Sequence, residues 1–168
     1  KKRTVVNILG ATPLDFSVNG SVDSMKQWIA DHEMEMGVCL SMGCSLEDVR
    51  NLKEADVNLV VSYGGLAAAE VLEERFGLPY VVGVPFGETF SGRLAAMLKQ
   101  SAAAKVNRCA YRRDPQEPEP VDVRAVIIGE SVFGGSLAEA VEMDTGIPVK
   151  LLCPLDTEER RSGNARGG

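Results

Sequence analysis

Cys39 and Cys44 bracket the tetrapeptide Leu40-Ser41-Met42-Gly43, a spacing that lets two thiols approach one another across a turn. A helix N-terminus directly after that turn would lower a cysteine pKa, and the chemistry open to such a pair is a redox couple or half of an iron–sulfur site. The spacing matches no strong ligand motif, and free cysteine is often simply core, so the plainer reading is a buried Cys39 and an incidental Cys44. Cys109 and Cys153 stand far from both in the sequence. His32 is the only histidine. Flanked by Asp31 and Glu33, it reads as a solvated helix residue, and sites built from several imidazoles are excluded. Asp15, Glu88 and Asp156 fall in loops near strand ends, without the spacing of an acid–base pair.

Glycines form the second group. Gly10, Gly43, the pair Gly64-Gly65, Gly87 and Gly129 each follow a run that reads as a strand. In an open parallel sheet ligands bind beyond the carboxyl ends of strands, where helix N-termini present unpaired N–H groups. A rim stripped of side chains at these points is suited to a ligand approached by backbone, although strand-to-helix turns also favour glycine on their own account. The turn Ser62-Tyr63-Gly64-Gly65 is the strongest candidate for cofactor binding. Familiar phosphate signatures fail: Gly129 to Ser136 has P-loop glycine spacing, but Gly135 stands where the lysine belongs, and no strand is followed by G-x-G-x-x-G. Glu130 would repel a phosphate at that turn unless it held ribose hydroxyls.

These residues need a scaffold, and the apolar pattern supplies one. Val- and Ile-rich runs at Thr4–Leu9, Val38–Ser41, Asn58–Ser62, Tyr80–Val84, Arg124–Ile128 and Pro148–Cys153 read as strands buried on both sides. They alternate with helical segments. Val22, Met25, Trp28, Ile29 and Met36 suit one helical face, and Ser45-Leu-Glu-Asp48 opens a helix to about Ala55 with Leu46, Val49 and Leu52 inward. The segment Leu66–Phe76 stops at Gly77-Leu78-Pro79. Further helices are expected over about Ser91–Lys105 and Val132–Thr145. The fold class is therefore α/β, a Rossmann-like parallel sheet with flanking helices plus part of a second such unit. We expect a first domain over residues 1–111, a Pro-rich charged linker over 112–122, a βαβ start of a second domain over 123–157 and a disordered tail over 158–168.

The composition bounds the class of function. The 168 residues are 45% hydrophobic and 25% charged, which is globular, and a chain of this size buries a core without disulfides or a structural metal. Lys and Arg number 18 against 24 Asp and Glu, a net charge of -6. That balance disfavours a nucleic-acid partner. No basic-then-apolar leader and no apolar run of bilayer length stands in the sequence, so neither secretion nor a membrane partner is expected, and scattered cysteines suit a reducing cytoplasm. The abrupt start at Lys1, already leading into a strand, suggests a piece of a longer protein.

Taken in order, Val6-Asn7-Ile8-Leu9-Gly10, Cys44 to Val49, Leu59-Val-Val-Ser-Tyr63, Glu73-Glu-Arg-Phe-Gly77-Leu-Pro-Tyr80, Pro85-Phe-Gly87 and Val126-Ile-Ile-Gly-Glu130 resemble the component 1 type subunits of nitrogenase and its relatives. The resemblance spans most of residues 4 to 153. It implies a redox enzyme of three Rossmann-like domains, working as a complex with a related component 1 subunit and fed electrons by a separate ATP-dependent iron–sulfur reductase. Substrates in the family include dinitrogen and tetrapyrroles. It further implies an iron–sulfur or metal cluster in the full-length complex, with its bridging cysteines in a domain upstream of Lys1. Where the cofactor-holding nitrogenase subunit has a cysteine ligand this chain has Ser62, and Gly64 replaces the usual arginine. A hydroxyl matches cluster iron poorly. No cluster is therefore expected on the chain itself, which should fold but be inactive alone. Two other readings stay open: a non-catalytic scaffold for cofactor assembly or partner binding, and a flavodoxin-like small-ligand binding module.

Overall fold

The computed structural model describes residues 3–13, 16, 20–40, 43–111 and 123–152. The expected linker over 112–122 and tail over 158–168, together with Asp15, Cys153 and Asp156, lie outside the described residues. Among the described residues no helix is long and apolar enough to cross a membrane.

The fold is α/β. Strands β1 (Val5–Leu9), β2 (Glu35–Leu40), β3 (Val57–Val60), β4 (Tyr80–Val82) and β5 (Arg108–Cys109) form one sheet in the order β2-β1-β3-β4-β5, every pair parallel. Helices α1 (Ser21–Asp31), α2 (Leu46–Asn51), α3 (Leu66–Phe76) and α4 (Glu88–Ala104) connect them. A second, two-stranded parallel sheet pairs β6 (Ala125–Ile128) with β7 (Val149–Leu152) through the crossover helix α5 (Ser131–Thr145). The first sheet has the flavodoxin-like order 2-1-3-4-5. β5 went unpredicted because two polar-leaning residues carry no apolar alternation.

The central strands are apolar because they have to be. Val6, Ile8, Leu9, Val57, Leu59 and Val60 have no exposed surface, and Val132 and Ala140 of α5 belong to the same continuous core. Two amides share this interior. Asn7 and Asn58 are fully buried neighbours on β1 and β3. The β1–β2 register slips between Val6 and Ile8, and Asn7 repairs the slip: its Oδ1 accepts the Val38 N–H at 2.9 Å. Its Nδ2 donates to the Leu52 carbonyl at 2.8 Å and to Asn58 Oδ1 at 2.9 Å.

Several boundaries depart from the sequence reading. Met36 lies in β2 and not on the α1 face, since α1 ends at Asp31 and Glu33 turns the chain at φ 58°. Leu46 and Val49, expected inward, are 81% and 48% exposed. Their helix α2 packs on β2, the sheet's edge strand, so only Leu52 in the following 3₁₀ turn reaches the core. β2 is half exposed for the same reason, and on β6 Val126 and Ile128 are exposed, so these strands are not buried on both sides. α4 begins three residues early because Gly87, at φ 58°, starts the helix at Glu88. The α3 terminus follows the expectation: Gly77 is left-handed, and its N–H and that of Leu78 close on the Glu73 and Leu72 carbonyls.

The expected Ser45 cap is present as a reciprocal box, Asp48 N–H on Ser45 Oγ at 3.1 Å and Ser45 N–H on Asp48 Oδ2 at 2.8 Å. These bonds hold the Asp48 carboxyl below its ordinary value of 3.8. A lowered folded-state pKa stabilises above the ordinary value and is lost as pH falls through the folded one. α2 should therefore fray in acid below pH 3.8, where amide exchange in residues 46–51 reads it. At neutral pH, Ser45→Ala should lower unfolding free energy by about 1 kcal/mol.

Candidate functional site at the sheet's C-terminal rim

From β1 the chain first crosses to β2 on one side and later, from β3, to β4 on the other. The β1/β3 pair is thus the point where strand order reverses, the place a ligand crevice forms in such sheets. Gly10 follows β1 and Ser62–Gly65 follows β3, so the two turns singled out in the sequence meet there.

They meet very closely. Ser62 is 1% exposed and its hydroxyl donates to the Gly10 carbonyl at 2.6 Å. A Cβ on Gly65 would stand 2.7 Å from the Leu9 carbonyl oxygen, and one on Gly10 would stand 2.5 Å from Ser62 Oγ. Ser62 and Gly65 therefore build the joint between the turns. Tyr63, half-buried, and Gly64, exposed and with Ser62 Oγ 3.6 Å from where its Cβ would stand, are the members that remain on the outside.

The anion position at this turn is already taken. Tyr63–Gly65 form a 3₁₀ turn that runs into α3, and the Tyr63 N–H donates to Glu130 Oε1. The other oxygen of the same carboxylate accepts the Phe133 N–H at 2.9 Å, which caps α5. One negative charge thus serves two helix N-termini, where partial positive charge favours it. Glu130 was legible at its turn, yet its reach across 67 residues of sequence was not.

Further groups seat α5 on the rim. The Val84 N–H, just past β4, donates to the buried Ser136 Oγ at 2.9 Å, and Ser136 donates in turn to the Val132 carbonyl. Arg93 on α4 donates to the Ala110 carbonyl and to Glu139 at 2.7 Å. Gly135, read from sequence as the missing P-loop lysine, has another role here: a Cβ would stand 2.6 Å from the Tyr111 ring. Gly129 meets nothing in that sense and Gly43 likewise, whereas Gly87 faces Asp144 Oδ2. Ser136 and Arg93 were missed because their partners lie in other elements.

Glu130→Gln keeps the shape but leaves one acceptor for two N–H groups. Charge-assisted bonds contribute about 1.5–3 kcal/mol each, so a loss of about 2 kcal/mol is expected. The signature is hydrogen exchange: the Tyr63 and Phe133 amides should exchange faster while the β1–β3 ladder keeps its protection.

Of the cysteines, Cys39 is half-buried and not buried, and the Cys44 thiol donates to the Cys39 carbonyl at 2.8 Å. Cys109 is exposed. His32 is also less solvated than expected: it caps α1, its Nδ1–H donates to the Trp28 carbonyl at 2.9 Å, and its ring packs on Trp28 at 5.2 Å. Among the described residues no three His, Cys, Asp or Glu side chains converge as a metal site would require.

Residues 1–158 match the family model described as Nitrogenase component 1 type Oxidoreductase. Curated relatives include a light-independent protochlorophyllide reductase subunit from Nostoc punctiforme, 26% identical over 86% of this chain and 32% of that protein. The protein of the same name from Crocosphaera subtropica is 34% identical over 91% of the chain and 34% of its own length. That from Chlorobium phaeobacteroides reaches 36% over 49% of the chain and 16% of its length. The chain spans about a third of the length of the first two relatives.

Proposed function

Because the chain belongs to the nitrogenase component 1 type oxidoreductase family, we propose that it is the part of a redox-enzyme subunit that builds one wall of the substrate or cofactor crevice. The family match over residues 1–158 carries this reading. In it, the whole protein works in the cytoplasm beside a related component 1 subunit and receives electrons from a separate ATP-dependent iron–sulfur reductase. The substrate class is a tetrapyrrole, by likeness to relatives named for protochlorophyllide reduction. Tyr63 and Gly64 are the residues that face the crevice, with Ser62 and Gly65 holding the turn in shape.

The described residues do not fit an iron–sulfur or metal cluster. The Ser62 hydroxyl, which by resemblance answers to the cysteine ligand of the cofactor-holding nitrogenase subunit, is buried and committed to the Gly10 carbonyl. Oxygen of that kind is also a poor partner for cluster iron. A cluster in the full complex takes its ligands from other parts of the protein or its partner, and the role left to this chain is to shape the crevice and exclude water from it.

Two experiments test the reading. The 168-residue chain, reconstituted anaerobically with iron and sulfide, should remain free of bound metal; stoichiometric iron would overturn the structural assignment of its cysteines. The full-length protein, purified anaerobically together with the products of neighbouring genes, should show cluster absorption in the visible and reduce a tetrapyrrole only with reductase and ATP. Co-purification with a partner but no electron transfer would replace this reading with that of a scaffold.

A further inference from the structure

A cavity of about 280 Å³ opens at the same rim, and none of Ser62–Gly65 lines it. Its walls come from different parts of the fold. Phe16 precedes α1, Met25 and Trp28 belong to α1, Phe86 lies in the turn before α4, and Phe133 is in the first turn of α5. Ser24, exposed on α1, belongs to the same lining. The aromatic walls brace one another: Phe133 meets Phe86 edge-on at 4.8 Å between centroids and Phe16 at 6.2 Å. Phe133 is further fixed by its N–H, held by Glu130.

Three properties define what fits. Among the described residues no charged side chain lines the cavity, so none of them offers an ion a partner there. Phe16, Trp28, Phe86 and Phe133 all line the wall, and such rings favour flat apolar partners through offset and edge contacts. An apolar cavity of about 150 Å³ takes one benzene ring, so the volume here suits about two fused rings. It opens at the C-terminal rim of the parallel sheet, between α1, the turn after β4 and α5, and ligands of such sheets bind beyond that rim. We propose that this cavity is a binding site for an uncharged, planar compound of about two fused rings.

Trp28 is the chain's only tryptophan and forms part of the wall, so its emission reports occupancy directly. Quinoline titrated into the 168-residue chain is expected to quench that emission saturably, with saturation-transfer NMR showing contact between protein and quinoline protons. Ser24→Phe fills the edge of the cavity from an exposed helix position and should weaken quinoline binding about tenfold or more, with an unchanged circular dichroism spectrum. Phe133→Ala should weaken it as well, by removing a wall. Linear quenching that matches free N-acetyltryptophanamide would overturn the proposal. So would saturable binding of equal strength in Ser24→Phe, which needs no core residue to be disturbed.

Discussion

Gly10→Ala is expected to destabilise the chain by about 3–4 kcal/mol, from a left-handed backbone and overpacking together. Gly10 has φ +86°, which an L side chain tolerates poorly, and its Cβ would stand 2.5 Å from Ser62 Oγ, 2.9 Å from the Gly65 nitrogen and 3.0 Å from the Gly65 Cα. Two of those three are backbone atoms, so no rotamer change relieves the contact. The β1 and β3 turns would have to part, breaking the Ser62 hydroxyl bond to the Gly10 carbonyl and shifting the Tyr63 N–H from Glu130. A small domain is stable by only about 5–15 kcal/mol, so the loss should appear plainly in urea unfolding. Gly20→Ala is the control. Gly20 has nearly the same φ, +87°, with nothing within 4 Å of its Cβ, so it should carry the conformational penalty alone, about 1–2 kcal/mol. Equal losses at the two positions would refute the close-packed joint.

Asn7→Leu should be as damaging for a different reason. It strands the Leu52 carbonyl and Asn58 Oδ1 in a buried site and leaves the part-buried Val38 N–H without its acceptor. Each buried polar group left without a partner costs about 1–3 kcal/mol, and the added apolar burial offsets only part of that. A net loss of about 3–5 kcal/mol is expected by chemical denaturation. Asn58→Leu should cost clearly less, about 1–2 kcal/mol, because it strands one Asn7 hydrogen and removes an Asn58 Nδ2 that already lacks a partner. If the two variants were equally damaging, Asn7 would not be the residue that repairs the slipped β1–β2 register.

Much of the scaffold was legible because local chemistry and tertiary context agree there. The runs around Val6, Leu59 and Val81 are buried in the sheet centre, as continuous apolar strands of a parallel sheet must be. The stop at Gly77 was readable because a left-handed terminus and a following proline act within a few residues. The failures lie at the edges. Leu46 and Val49 have a helical period that implies a core contact, but whether a layer covers that face depends on what stands beyond β2.

The candidate site divides in the same way. The spacing of glycines after strands located the rim, and within it the Ser62–Gly65 turn, because strand-to-helix geometry repeats in every βα unit. The amino-acid sequence by itself determined the α/β class, the parallel sheet's buried strands and the family, since these follow from local periodicity and ordered motifs. Only the tertiary structure decided that Ser62 and Gly65 face inward, that Glu130 fills the anion position at Tyr63, and that Phe16, Phe86 and Phe133 enclose a cavity with Trp28. The physical reason is range. A cap or a turn is decided by atoms a few residues apart, whereas these contacts join groups far apart in the sequence, Tyr63 to Glu130 and Phe16 to Phe133, whose meeting depends on strand order and on how α5 docks.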